Sequence, residues 1–230
     1  MEFAEDLTEE AVARALGDRP FRAYRALVST EADALAWARA GAPGGAVVVA
    51  EYQASPRGRA GLEWRTRPEE SLAFSLVVRP RLPAPREGWL YVVASLGLSD
   101  ALGAAVEWPD AVVGAGAVGI STGLGPFGVE WAVVNVLASP ATPPRAPLLK
   151  RIVEAIEERL REPSAGALAA YLRRCETIGR HVRARMIPMG PGGVVVEGRA
   201  VSVKTDGALV VETADGRRLA IRPQNLGLLD

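Results

Sequence analysis

Lysine is almost missing from this chain. Only Lys150 and Lys204 are lysines among 27 basic residues, and none lies between Met1 and Leu149. Any chemistry in that long stretch that calls for an ammonium group has no side chain to supply it, although a genome biased toward arginine codons accounts for the skew without reference to function. Cysteine is limited to Cys175 and histidine to His181. That excludes an internal disulfide and a cysteine metal cluster, and it leaves no second histidine to share a metal or a proton relay. No apolar run approaches the roughly 20 residues that a spanning helix needs. The first six residues are acidic, with no basic region leading an apolar core, so nothing reads as a secretory signal. Formal net charge is zero, which removes a global field toward nucleic acid. The expectation is a cytoplasmic protein that engages neither membrane nor nucleic acid.

What is present can build a core. With 230 residues and 49% hydrophobic content, the chain is long enough for one large domain with a small appendage. Residues 8–16 read as a short helix, with Thr8 as its cap and Glu9-Glu10 at its positive end. Residues 21–27 alternate like a strand. A helix is expected over 32–40, stopped by Gly41 and Pro43, followed by an apolar strand at 46–50. Further along, 72–79 is strand-like, 90–102 reads as an apolar core helix, and 130–136 as a strand. In 147–161 the residues Leu149, Ile152, Val153, Ile156 and Leu160 fall on one helical face. A second helix is expected over 165–177, with Cys175 packed as a small apolar side chain. From Val182 the texture changes to short alternating runs punctuated at Gly190-Pro191-Gly192-Gly193, Asp206-Gly207 and Asp215-Gly216, as in a small antiparallel barrel or sandwich.

The chain is organised around residues 51–64, Glu-Tyr-Gln-Ala-Ser-Pro-Arg-Gly-Arg-Ala-Gly-Leu-Glu-Trp. A buried strand that opens into small, flexible and cationic residues is either an arginine-rich surface loop or a place to hold an anion. Gly58 and Gly61 permit close backbone approach, and Arg57 and Arg59 carry planar forks suited to phosphate or carboxylate.

This stretch resembles the signature of biotin protein ligases, Gln-Thr-x-Gly-Arg-Gly-Arg-x-Gly-Arg-x-Trp, matched here by Gln53, Arg57, Gly58, Arg59, Gly61 and Trp64. Pro56, Ala54 and Leu62 depart from it. Ser29 and Thr30 match the family's Ser-Thr-Asn, with Glu31 in place of the asparagine. Trp108 and Pro109 match its Lys-Trp-Pro-Asn-Asp, Gly119-Ile120 its Gly-Ile, and Asn135-Val136 the end of its Gly-Ile-Asn-Val. Thr177-Ile178-Gly179-Arg180, Val196-Glu197-Gly198-Arg199-Ala200 and residues 206–211 are similar to its SH3-like C-terminal domain. The resemblance also touches the more distant lipoate ligases. No helix-turn-helix pattern precedes the main domain, so a member without the N-terminal DNA-binding domain is expected.

The resemblance implies an α+β fold, a class II synthetase-like mixed sheet with flanking helices over residues 1–177 and an SH3-like β barrel over 178–230. It implies biotin, ATP and Mg2+ as ligands, with biotinyl-5′-adenylate formed and then attacked by a lysine of a biotin carboxyl carrier domain. Homodimerisation through a sheet edge belongs to a separate reading, that of a purely structural partner. Ser29, Thr30, Gln53, Arg57, Gly58, Arg59, Gly61, Trp64, Trp108, Gly119 and Asn135 become the ligand-binding set. No catalytic residue carries over, because Glu107 and Gly116 stand where the family has its two lysines. The expected reading is a degenerate active site, a pseudoenzyme with weak or lost ligase activity. An active ligase using Arg65 or Arg67, or a non-enzymatic structural partner, are the alternatives.

Overall fold

The computed structural model describes residues 6–67, 69–190 and 192–230. The acidic start at residues 1–5 and Pro191 of the expected turn lie outside the described residues. Helix α1 (Glu9–Leu16) starts where Thr8 Oγ1 accepts the Ala11 amide at 3.2 Å. Strand β1 (Phe21–Leu27) leads to α2 (Thr30–Arg39), then β2 (Val47–Gln53), β3 (Leu72–Val78) and the core helix α3 (Trp89–Leu102). Short strands β4 (Val106–Glu107) and β5 (Ala111–Val112) precede a long hairpin, β6 (Gly116–Gly125) and β7 (Gly128–Ala138). These strands form one seven-stranded sheet in the order β1-β2-β3-β7-β6-β5-β4, with β1 parallel to β2 and the other pairings antiparallel.

The unbroken apolar text of β2 and β3 follows from burial on both faces. Val47 and Val49 join the larger core cluster, while Val48 joins the smaller one beneath Ala34 and Ala38 of α2. The other face carries α3, buried from Trp89 to Ser99, and α4 (Arg145–Arg161). Gly97 lets these two helices meet closely, since a side-chain carbon there would lie 2.6 Å from Ile156 Cα. Leu149, Ile152, Val153 and Ile156 are fully buried on the expected face of α4, each worth roughly 1.5–3 kcal/mol.

Helix α5 (Ser164–Arg174) is shorter than its sequence suggests. The chain leaves it at Cys175, where Glu176 N donates to Val106 O at 2.9 Å and Thr177 Oγ1 accepts from Trp108 N at 2.8 Å. Tertiary pairing with β4 therefore overrides the helical pattern, and Cys175 is buried in the core as expected. Strands β8 (His181–Met186), β9 (Val195–Val203), β10 (Leu209–Glu212), β11 (Arg218–Ile221) and β12 (Leu226–Leu229) then form a five-stranded antiparallel sheet in the order β11-β10-β9-β8-β12. Its inner residues Val211, Ile221 and Leu226 belong to the same hydrophobic cluster as α3 and α4. Gly207 fastens the two halves. It adopts φ +84, and a side chain there would collide with the Gly88 carbonyl at the start of α3. Among the described residues, no helix is long and apolar enough to cross a membrane.

Candidate functional site

The end of β2 is pinned by charge. Arg145, wholly buried at the start of α4, donates from Nε to Asp6 Oδ1 at 3.0 Å and from Nη1 to the Ser71 carbonyl at 3.0 Å, and its Nη2 is ion-paired to Glu51. Glu51 in turn accepts the Leu7 amide at 2.8 Å. With its last turns fixed, β2 delivers Gln53 to the N-terminus of α2, where a buried row of polar groups crosses the sheet. Thr30 N and Thr30 Oγ1 donate to Gln53 Oε1 at 2.9 and 3.2 Å, and Gln53 Nε2 donates to Ala73 O at 3.1 Å. Ser75 Oγ lies 2.9 Å from Thr30 Oγ1 and donates to Asn135 Oδ1 at 2.7 Å. Asn135 Nδ2 is buried and finds no hydrogen-bond partner among the described residues. A buried amide donor without an acceptor costs about 1–3 kcal/mol, which a polar ligand atom would relieve.

Asn135 pairs with Gly119 across β6 and β7, and residues 56–64 lie over that point. An atom added at Gly119 would sit 2.9 Å from the Gly58 carbonyl carbon, so only glycine lets the loop rest on the strand. The loop closes on itself through Gly58 N to Leu62 O at 2.8 Å and Trp64 N to Pro56 O at 2.9 Å. Trp64 stacks where a side chain at Gly58 would otherwise be. Ala60 and Gly61 take left-handed backbone, φ +54 and +73. On the open side of the row, Ser121 Oγ donates to Glu31 Oε1 at 2.6 Å, bridging β6 and the first turn of α2. Ser29, buried, takes the cap position of α2 without a side-chain capping bond.

The signature arginines are used differently from a simple anion clamp. Arg57 is exposed and folds back to donate to Gly61 O at 2.9 Å. Arg59 is only 6% exposed. Its Nε donates to Asp110 Oδ2 at 3.1 Å, its Nη2 to Gly227 O at 3.2 Å, and its Nη1 to Leu226 O. Burial pushes the Asp110 carboxyl up from its ordinary value, against the opposing pull of Arg59. Burial likewise raises the neighbouring Tyr91 hydroxyl. Trp108 is also turned toward the C-terminal sheet, its indole N–H donating to Gly207 O at 2.9 Å.

Glu107 and Gly116, which the resemblance sets against the family's lysines, carry no cation of their own. Glu107 is half-exposed and ion-paired to Arg180 at 2.6 Å. A side chain at Gly116 would collide with the Leu137 carbonyl on the paired strand. A cleft of about 280 Å3 lies here between the sheets, lined by Arg59, Glu107, Trp108, Asp110, Arg180 and Leu228 among others. Among the described residues, no group of three or more His, Cys, Asp or Glu could hold a metal ion.

The structure thus brings Thr30, Gln53, Asn135 and Gly119 together under the loop of Arg57, Gly58, Arg59, Gly61 and Trp64, with Ser29 at the edge. It turns Trp108 and the Arg59 fork to the C-terminal sheet. Ser75, Glu31 with Ser121, and Arg145 were not singled out as site residues. A lone serine inside the apolar run of β3 was the one available signal for Ser75.

Comparison with known proteins points one way. Residues 177–223 match the family model of the biotin protein ligase C-terminal domain. The chain is 28% identical over 247 aligned positions to the biotin–[acetyl-CoA-carboxylase] ligase of Mycobacterium tuberculosis, an alignment covering 94% of this chain and 91% of that protein. It is 39% identical over 131 positions to the corresponding ligase of Paracoccus denitrificans, covering 51% of this chain and 53% of that one. In fold it is similar to the biotin protein ligase of Aquifex aeolicus solved with biotin and ATP, with a TM-score of 0.69 at 17% identity over 92% of this chain and 98% of that chain.

Proposed function

Starting from a chain that is biotin protein ligase-like in sequence and in fold, we propose that it retains a small-ligand site of that fold and has lost, or greatly weakened, the chemistry that joins biotin to ATP. Residues 1–177 are the catalytic-type domain in this reading, and 178–230 the SH3-like one. The observation that carries it is the contrast within one site. The polar row of Thr30, Gln53, Ser75 and Asn135 keeps a buried, unpaired amide donor, which suits a polar ligand such as the biotin head group. The reacting centre lacks ammonium groups, because Glu107 faces Arg180 and Gly116 has no room for a side chain.

Adenylate formation brings a carboxylate against the α-phosphate of a nucleotide. Two anions approach only where fixed cations and aimed N–H donors hold them, and one such group is typically worth about 10²–10³ in rate. Here a carboxylate occupies one family lysine position and hydrogen the other. Arg59 does not replace them, since its fork is spent on Asp110 and on carbonyls of β12, and guanidinium geometry differs from that of an ammonium. ATP and Mg2+ therefore add little to binding, and a biotin carboxyl carrier domain is a docking partner rather than an acceptor. The similarity to the Mycobacterium ligase along 91% of its length favours a second reading, an active ligase that recruits Arg65 or Arg67.

Isothermal calorimetry with biotin tests the retained site. Binding by the wild type that disappears in Gln53→Ala and Thr30→Val supports it. Absence of binding at millimolar biotin contradicts it.

A further inference from the structure

Arg59 is a buried side chain whose three hydrogen bonds reach two distant parts of the chain. Asp110 follows Trp108-Pro109 in the main domain, while Leu226 and Gly227 are the first residues of β12 in the C-terminal sheet. The backbone leading into Arg59, at Gly58 and the Arg59 nitrogen, rests on Gly119, beside Asn135 in the sheet. One guanidinium therefore ties the loop lid to a strand about 170 positions away. Among the described residues, no other hydrogen bond of the loop reaches so far. Its remaining backbone bonds are internal, between Pro56, Gly58, Arg59, Gly61, Leu62 and Trp64, and Arg57 bonds only to Gly61. The loop also holds Ala60 at φ +54, a conformation that L residues adopt at a cost and keep only where surrounding contacts impose it.

Backbone carbonyls are the right counterpart for such a tether. Two successive C=O groups at the start of β12 accept from both ends of the fork, so they bind the cation without neutralising it, and Asp110 supplies the charge from the other side. Met189 packs directly on Gly227, so the hairpin between β8 and β9 is seated on the same strand.

We propose that Arg59 is a latch that makes closure of the 56–64 loop over the polar row and docking of β12 a single event, so that the row opens only when the C-terminal sheet releases the guanidinium. Arg59 is then a positioning residue. The latch rests on bonds in the protein itself and holds whether or not biotin is the molecule that enters; only the identity of the visitor depends on the reading above.

Hydrogen exchange followed by mass spectrometry on the full chain tests it. In the wild type, peptides spanning 56–64 and 224–229 are expected to open with the same equilibrium constant. Arg59→Ala is expected to raise exchange of both by about 10- to 100-fold, the loss of a few charge-assisted bonds, with α4 still protected. Arg57→Ala leaves β12 within about twofold of wild type, because its only bond lies within the loop. Should Arg59→Ala unfold α4 as well, Arg59→Lys keeps the charge and drops the fork, and it is expected to raise both peptides together. Opening of the loop with β12 unchanged, in whichever of the two variants is folded, overturns the latch. So does a wild type whose two peptides open independently.

Discussion

The Leu137 carbonyl of β7 occupies the space into which any side chain at Gly116 of β6 would have to grow. The two residues lie on paired antiparallel strands, where Gly116 is opposite Ala138. Backbone packing thus leaves no space for a side chain at this position.

Gly116→Lys is accordingly expected to destabilise the protein by about 1–3 kcal/mol, the range for forcing atoms into a packed site, and to leave adenylate formation no higher than in the wild type. A thermal melt with a pyrophosphate-release assay on the same preparation checks both halves. An unshifted melt with a gain in turnover would show that the position is open to a lysine.

The buried row makes a second prediction. Ser75→Ala removes the hydroxyl that satisfies Asn135 Oδ1 and leaves Asn135 with both polar atoms unpaired. The expected cost is about 1–3 kcal/mol, read by urea denaturation. If the row is a ligand site, biotin affinity falls in the same variant, whereas a purely structural row loses stability alone.

Arg145 holds Asp6 and Glu51 in the interior. Replacing it by Met strands two largely covered carboxylates, and the expected loss is about 3 kcal/mol at neutral pH, the low end for breaking a buried pair. Adding Glu51→Gln to the Arg145→Met background removes one stranded charge and is expected to recover part of the loss, read by urea denaturation. No recovery in the double variant would mean that packing, not charge, carries the effect.

Asp100 gives a pH test with a definite sign. Burial alone would raise its carboxyl, but hydrogen bonds from Arg159 and Arg174 overcome this and hold it below the ordinary aspartate value. A depressed folded-state value means that its contribution is present above the unfolded aspartate range and is lost as pH falls through the folded one. Asp100→Asn is expected to cost about 1 kcal/mol at pH 7, less than a fully buried pair because solvent reaches Arg174. The difference should shrink only as pH falls below the ordinary aspartate range and through the depressed folded-state value, as followed by denaturation at a series of pH values.

Much of the fold was written in the sequence because periodicity reports burial directly. The apolar text of β2 and β3, the one-sided face of α4 and the turn punctuation after Val182 each became the expected element. The helix expected to run to Thr177 ends at Arg174, since pairing of Glu176 with Val106 is a tertiary fact that no local pattern encodes. The hydrogen-bonded row was approached by a different route, the resemblance of short motifs. Gln53, Thr30 and Asn135, named through the resemblance, lie in one hydrogen-bonded row, and the glycines at 58 and 119 fit a close approach of loop to strand. What the sequence could not convey is where a cation points. Arg57 and Arg59 are two residues apart and look equivalent, yet one is solvent-facing and the other is buried against carbonyls 167 and 168 positions away. Arg145, Asp6 and Glu51 are equally scattered, and only folding reveals them as one cluster.

The central claim, a kept binding site beside a lost reacting centre, is tested most directly by pyrophosphate release from ATP with biotin and Mg2+ at neutral pH, run alongside transfer of labelled biotin to a carrier domain. The account predicts no release above background under conditions where calorimetry detects biotin. Turnover within about tenfold of a typical enzyme's ~10 s⁻¹ would contradict it and make the chain an active ligase working without the family's lysines.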